Sequence, residues 1–210
     1  MTNLSAAEAL NRLRAGNSRF AAGLRSVDTL GRSARPGEHL HGQRPFAAIL
    51  GCSDSRVPVE IVFDQGLGDL FVIRVAGNVV APTQIGSVEF AAERFGTRLV
   101  VVLGHTGCGA VTATLEELAR PGGRRSPNLH SIVERVRPAV EPLLAGPAAA
   151  TGEELARRAV RANIAAAVAA LRHGSELIER LVAEDGLRVV GAEYDLASGE
   201  VTFLPEPGPD

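Results

Sequence analysis

The sequence predicts an α/β fold: a mostly parallel central sheet of about four strands, an antiparallel edge strand and flanking helices. Three short, almost wholly apolar runs, at residues 46–51, 70–75 and 99–104, are typical of strands that a parallel sheet buries on both faces. Helical patterns lie between these runs, which is the alternation expected of βαβ units. The length of 210 residues favours one domain over residues 1–210, since about 150 residues is an ordinary domain size.

The first predicted element is an N-terminal helical arm within residues 1–25. Ser5 and Glu8 have the spacing of a capping box, and apolar residues recur at helical intervals until Gly23. The stretch 26–44 contains Gly, Pro and His and is predicted to be a loop. The chain therefore enters the sheet at the first apolar run.

The later elements follow from the same periodicities. They are helices at 58–64, 87–95 and 108–119, a long Ala-rich helix after the capping residues Thr151 and Glu154, a fourth strand at 187–195, an edge strand at 201–204 and a flexible tail at 205–210. Helices that alternate with parallel strands cover both faces of the sheet.

Charge and composition exclude several classes of function. The formal net charge is −2, which offers no basic surface for nucleic acid or an anionic membrane. The longest apolar stretch, at 164–171, is too short to span a bilayer, and the N-terminus lacks the pattern of an export signal. We therefore expect a cytoplasmic protein with two free thiols. The chain contains no lysine, which excludes Schiff-base chemistry.

The two cysteines lie where two predicted strands end. Cys52 follows the first run, and His105 and Cys108 follow the third. Because neighbouring strands are about 4.8 Å apart, both loops can reach one ion, and two thiolates with one imidazole leave a position open on a catalytic zinc. Spacing alone leaves a second interpretation equally open, in which Cys52 is a buried small residue and His105 an ordinary loop residue.

Asp54 and Arg56 strengthen the metal interpretation. A carboxylate two residues after a thiolate ligand can take the fourth zinc position, or it can accept a proton from a zinc-bound water. Arg56 can hold that carboxylate away from the metal with a bidentate contact. The alternative is an ordinary surface ion pair, worth up to about 1 kcal/mol.

Five segments carry a resemblance to a known family. They are CSDSRV at 52–57, GDLFVIRVAGN at 68–78, SVEFA at 87–91, HTGCGAV at 105–111 and GAEYD at 191–195. In this order they resemble the β-class carbonic anhydrases. The match extends from about residue 5 to residue 203 and includes the N-terminal helix.

The resemblance implies a zinc lyase that hydrates CO₂ reversibly to bicarbonate and a proton by zinc-bound hydroxide, with one Zn²⁺ per chain. It implies a homodimer or a dimer of dimers with active sites at the subunit interface. The residue roles that it implies are as follows: Cys52, His105 and Cys108 bind zinc, Asp54 and Arg56 are the catalytic pair, Gln43 donates to bicarbonate, and Phe71, Ala76, Phe90 and Gly109 line the substrate pocket, partly across the interface. The two possible partners of Asp54, zinc and Arg56, suggest in addition a closed form at acidic pH in which Asp54 is the fourth zinc ligand. Without the resemblance, Phe90 would be interpreted as core and Gln43 as a solvated loop residue.

Two positions depart from the family pattern. Val75 stands where the family usually has asparagine, so one polar contact of that loop is expected to be lost. Ile49 stands where the bicarbonate-regulated branch has tryptophan, although Arg74 and Tyr194 match other members of that regulatory pocket. We therefore expect this chain to lack that form of bicarbonate inhibition.

Three other functions are compatible with parts of the sequence. The same zinc chemistry could act on carbonyl sulfide or carbon disulfide, because pocket shape rather than the ligand set distinguishes these substrates. Cys52 and Cys108 could belong to a non-catalytic zinc or thiol-redox sensor, but Asp54, Arg56 and Gln43 would then have no role. A purely structural oligomerisation module would likewise leave these polar residues unexplained.

Overall fold

One sheet organises the chain. The computed structural model describes residues 3–26, 42–120, 126–145 and 152–205. Within them, five strands pair in the order β2-β1-β3-β4-β5: β1 Ala47–Gly51, β2 Leu70–Arg74, β3 Leu99–His105, β4 Arg188–Tyr194 and β5 Val201–Phe203. The first four strands are parallel, and β5 pairs antiparallel with β4. The predicted fold class is confirmed.

Helices cover both faces of this sheet. The helices are α1 Ala6–Ala21, α2 Val59–Val62, α3 Pro82–Phe95, α4 Gly109–Ala119, α5 Pro127–Val140, α6 Gly152–Arg172 and α7 Glu176–Glu184, with 3-10 turns at Ala76–Asn78 and Glu141–Leu144. One apolar cluster packs α1 and α2 on one face, and the other packs α3 to α7 on the opposite face. No helix within the described ranges is long and apolar enough to cross a membrane.

The strand predictions are correct to within about a residue, whereas several helices differ. The helix predicted at 58–64 is only the single turn α2, and the helix predicted at 87–95 begins earlier, at Pro82. Helices α5 and α7 were not predicted, although Ser126 followed by Pro127 is a helix-start signal. Thr151 and residues 206–210 lie outside the described residues, so the second capping box and the flexible tail remain predictions.

The N-terminal helix docks through a glycine. The capping box of Ser5 and Glu8 is present, and a Cβ added to Gly16 would lie 1.8 Å from the carbonyl oxygen of Phe63. Beside it, the Nδ2 of Asn17 donates to the carbonyl oxygens of Val62 (3.1 Å) and Gly199 (2.9 Å). The backbone of α1 therefore packs directly on the segment that follows α2.

We expect Gly16→Ala to destabilise the fold. The added methyl group would overlap a backbone atom, and overpacking costs about 1–3 kcal/mol, so urea denaturation should show a lower midpoint. Gly86→Ala is the matched control, because a Cβ at this exposed position of α3 meets no atom within 4 Å. Because alanine has a higher helix propensity than glycine, Gly86→Ala should raise the free energy of unfolding by about 1 kcal/mol. An unchanged midpoint in Gly16→Ala would contradict the close packing.

Candidate metal centre and active site

Three potential metal ligands meet at the carboxyl edge of the parallel strands. Cys52 follows β1 directly, His105 is the last residue of β3, and Cys108 is the N-cap of α4. All three are buried, and their ligand atoms lie within 4.8 Å of one another. The topology explains this meeting, because β1 and β3 are hydrogen-bonded neighbours in the sheet. The convergence that sequence spacing left open is therefore present.

The three side chains fit a tetrahedral zinc ion. Zinc with Zn–S bonds of about 2.3 Å and Zn–N bonds of about 2.0 Å holds its ligand atoms roughly 3.5–3.8 Å apart, which small side-chain adjustments would reach. The Nδ1 of His105 lies 2.9 Å from the carbonyl oxygen of Thr106, and this contact assigns the proton to Nδ1. The buried Nε2 faces the sulfurs and has no hydrogen-bond partner among the described residues. Its lone pair is thus available to a metal.

The two thiols have opposite proton affinities. The pKa of Cys52 is lowered to about 4, and the hydrogen bond from Cys108 is the largest cause. Burial raises this pKa, whereas the neighbouring His105 ring and the Gly77 N–H also lower it. The Cys52 sulfur and burial together raise the pKa of Cys108 above its ordinary value. The pair therefore retains one proton between the two sulfurs, and a divalent cation that binds both sulfurs would displace it.

Asp54 lies beside this cluster and is held by Arg56. The guanidinium group donates from Nε to Oδ1 at 2.9 Å and from Nη2 to Oδ2 at 2.7 Å, and the Arg56 backbone N–H donates to Oδ1 at 2.9 Å. These bonds hold the pKa of Asp54 well below its usual range. Oδ2 lies 3.8 Å from the Nε2 of His105. The arrangement places an ionised carboxylate at the edge of the cluster.

Arg74 supports the loop that carries these groups. Its Nε donates to the carbonyl oxygen of Cys52 at 3.0 Å, and its Nη2 donates to the carbonyl oxygen of Asp54 at 2.5 Å. Sequence reasoning assigned Arg74 only to the regulatory pocket of the resembling family and missed this contact. No sequence motif predicts this support of the loop, because Arg74 binds backbone oxygens, which every residue type carries.

Two predicted pocket residues lie at the same edge of the sheet. Ala76 begins the 3-10 turn after β2, where the Gly77 N–H donates to the Cys52 Sγ at 3.3 Å. Gly109 is the first residue of α4, and a Cβ built on it would meet nothing within 4 Å. Gly109 is therefore an exposed position, directly after the buried Cys108.

The remaining predicted site residues lie elsewhere. Gln43 is exposed and lines a cleft of about 440 Å³ at the amino edge of the sheet, together with Phe95. Cys52 lies at the carboxyl edge, and the extended chain from Phe46 to Cys52 spans roughly 20 Å at about 3.3 Å per residue. The Gln43 side chain therefore does not reach the cysteines of its own chain.

Phe71 and Phe90 form an aromatic cluster with Phe95. The ring centroids are 6.0 Å apart for Phe71 with each of the other two rings and 5.6 Å apart for Phe90 with Phe95. Phe90 is 52% exposed, so its interpretation as a core residue is wrong. It lies on the outward side of α3, which covers the edge strand β2. The predicted site residues thus divide into two separate groups on one chain.

The sequence of this chain is similar to those of known proteins over almost its whole length. A family model described as carbonic anhydrase matches residues 47–201. The chain is 39% identical over 208 residues to carbonic anhydrase 2 of Mycobacterium tuberculosis, covering 97% of this chain and 95% of the relative. It is 40% identical over 201 residues to the carbonic anhydrase of Mycolicibacterium smegmatis, covering 96% and 94% respectively.

Solved structures show the same similarity. The β-carbonic anhydrase CafA of Aspergillus fumigatus superposes with a TM-score of 0.71 at 29% identity, covering 96% of this chain and 91% of that chain. A structure from a study of two tetrameric β-carbonic anhydrases of Sordaria macrospora gives a TM-score of 0.69 at 28% identity, covering 83% and 90% respectively.

Proposed function

The chain belongs to the β-carbonic anhydrase family of enzymes, and from this we propose that it hydrates CO₂ reversibly with one zinc ion held by Cys52, His105 and Cys108. The observation that carries the proposal is the meeting of these three ligand atoms within 4.8 Å. Two thiolates and one imidazole are a donor set that suits zinc, and three protein ligands leave a fourth position for catalysis. The neighbouring Asp54 and Arg56 supply the polar groups that the reaction needs.

Each side chain of the site has a distinct task. Bound zinc would supply hydroxide near neutral pH by lowering the pKa of a water molecule. Asp54 would accept a hydrogen bond from the hydroxyl group that attacks CO₂ and would thereby orient the oxygen lone pair toward the carbon atom. Arg56 keeps that carboxylate ionised and oriented through its two parallel hydrogen bonds. Because its pKa is depressed, Asp54 stays ionised well below neutral pH, and its contact with Arg56 weakens only under strong acid.

We infer that a second copy of the chain completes the site. Gln43, Phe71 and Phe90 lie away from the cysteines of their own chain, on a partly exposed surface beside the edge strand β2. A two-fold dimer would present this surface to the metal centre of the partner. The amide of Gln43 would then donate to a bicarbonate oxygen, and the rings would exclude water from CO₂. The tetrameric relatives of Sordaria macrospora support an assembled enzyme.

The test is stopped-flow CO₂ hydration between about pH 6.5 and 9, with zinc quantified in the same sample. We expect rapid hydration at about one zinc per chain. Zinc without hydration at any pH would contradict the proposal and direct the next assay to carbonyl sulfide. Hydration without bound metal would contradict the assigned ligands.

Asp54→Asn should separate chemistry from metal binding. The amide has nearly the same shape, but it replaces one acceptor oxygen by a donor, so it cannot receive the hydroxyl hydrogen as the carboxylate does. Misorientation of a reacting group costs about 10²-fold in rate, and we expect kcat to fall by about that factor while zinc content is unchanged. A variant with wild-type kcat would remove Asp54 from the mechanism.

A further inference from the structure

A buried asparagine on α6 contacts the backbone next to the metal centre. Asn163 is 3% exposed and lies in an otherwise apolar stripe of this helix. Its Nδ2 donates to the carbonyl oxygen of Gly77 at 2.8 Å. A buried polar amide lowers stability unless it is hydrogen-bonded. The bond to Gly77 explains why the fold tolerates an asparagine here, but it does not explain why an asparagine rather than an apolar residue occupies this position.

Gly77, the hydrogen-bond partner of Asn163, also contacts the candidate metal ligand Cys52. Gly77 accepts from Asn163 through its oxygen, and its own N–H donates to the Cys52 Sγ at 3.3 Å. Its backbone is left-handed, with φ 71° and ψ 18°, a conformation that favours glycine. A Cβ here would lie 3.0 Å from the Cβ of Ala110 on α4. Gly77 is therefore confined between the sulfur, α4 and α6.

The position of Asn163 is fixed by its neighbour in sequence. Ile164 packs into a notch formed by two glycines, where added Cβ atoms would lie 2.6 Å from it at Gly104 and 2.7 Å from it at Gly191. Gly104 immediately precedes the metal-ligand candidate His105 on β3. The Cγ1 and Cγ2 atoms of Ile164, which a valine would also carry, make these contacts and thus set the height of Asn163 relative to the metal centre.

We propose that Asn163 is a positioning residue for the metal centre: by holding the Gly77 carbonyl it keeps the Gly77 N–H on the Cys52 sulfur. The inference rests on the proposed function, since it assigns a metal to Cys52. A hydrogen bond to a thiolate withdraws electron density from the sulfur and fixes its direction. Groups that orient a ligand in this way change metal affinity by about 10–100-fold when they are removed.

The first test uses the wild-type protein, with cadmium-113 in place of zinc. A scalar coupling between the Gly77 amide proton and the cadmium nucleus reports the N–H···S contact through the metal–sulfur bond. We expect this coupling to be present. Its absence, in a protein whose Cys52 binds cadmium, would overturn the inference without affecting the ligand assignment.

The second test compares two variants on adjacent residues of α6. Asn163→Leu keeps the volume and removes the donor, whereas Ile164→Val removes one methyl group from the docking contact. In the cobalt-substituted proteins, we expect Asn163→Leu to shift the sulfur-to-cobalt charge-transfer band to longer wavelength and to weaken zinc affinity about 10-fold. Ile164→Val should lower the unfolding midpoint and leave the band in place.

The outcomes separate the two proposals. An unshifted band in a folded Asn163→Leu protein, or an equal shift in Ile164→Val, would overturn the positioning role alone. A wild-type protein that binds neither cobalt nor cadmium at the cysteines would overturn the proposed function and this inference with it.

Discussion

Cys108→Ala is expected to lose zinc and CO₂ hydration together. Cys108 is the N-cap of α4 and one of three protein ligands in the proposed centre. With two ligands remaining, the site should bind zinc far more weakly, by more than the 10–100-fold that loss of an outer contact costs. Without the metal, no group of the site makes hydroxide available near neutral pH. We expect hydration at the uncatalysed rate.

Val111→Ala is the matched control for that variant. Val111 is buried in the first turn of the same helix, so shortening it disturbs local packing without removing a ligand. Truncation of a buried aliphatic side chain lowers stability by a few kcal/mol at most, and we expect zinc content and kcat to be retained. Retained zinc in Cys108→Ala, or lost zinc in Val111→Ala, would contradict the assigned ligand set.

Much of the fold could be predicted because the signals are local. Every residue of β1 and β3 is buried, and such strands appear in the sequence as continuous apolar runs. The edge strand β2 is only partly buried, yet its run is also apolar, since one side supports the aromatic cluster. The bounds of α3 were harder to predict, because its first turn at Pro82 exposes mostly polar residues and adds little to the apolar periodicity.

The site could be predicted only where it consists of side chains close in sequence or brought together by adjacent strands. Cys52, His105 and Cys108 follow neighbouring strands, so the sheet topology implies their meeting. The support from Arg74 and Asn163 acts through backbone oxygens, and any residue type can present such an oxygen. Asn163 lies 86 positions from Gly77, and no periodicity relates the two.

Gln43→Ala should reduce hydration by about 10²–10³-fold, the cost of removing one donor to a developing oxyanion. Zinc content should stay at the wild-type value, because Gln43 lies at the amino edge of the sheet, away from the cysteines. Loss of zinc in this variant would indicate that Gln43 supports the fold of the metal centre rather than the reaction.

Mixing Gln43→Ala with Cys108→Ala chains tests whether the site is shared. If Gln43 acts on the metal centre of the partner, a mixed dimer has one intact site, made from the cysteines of the first chain and the glutamine of the second. Random pairing makes about half of the dimers mixed, so about one quarter of wild-type activity should return. A mixture of Asp54→Asn with Cys108→Ala is the control: both residues belong to the same group on one chain, so every site stays defective. Recovery in the control, or none in the first mixture, would show that Gln43 does not act across the interface.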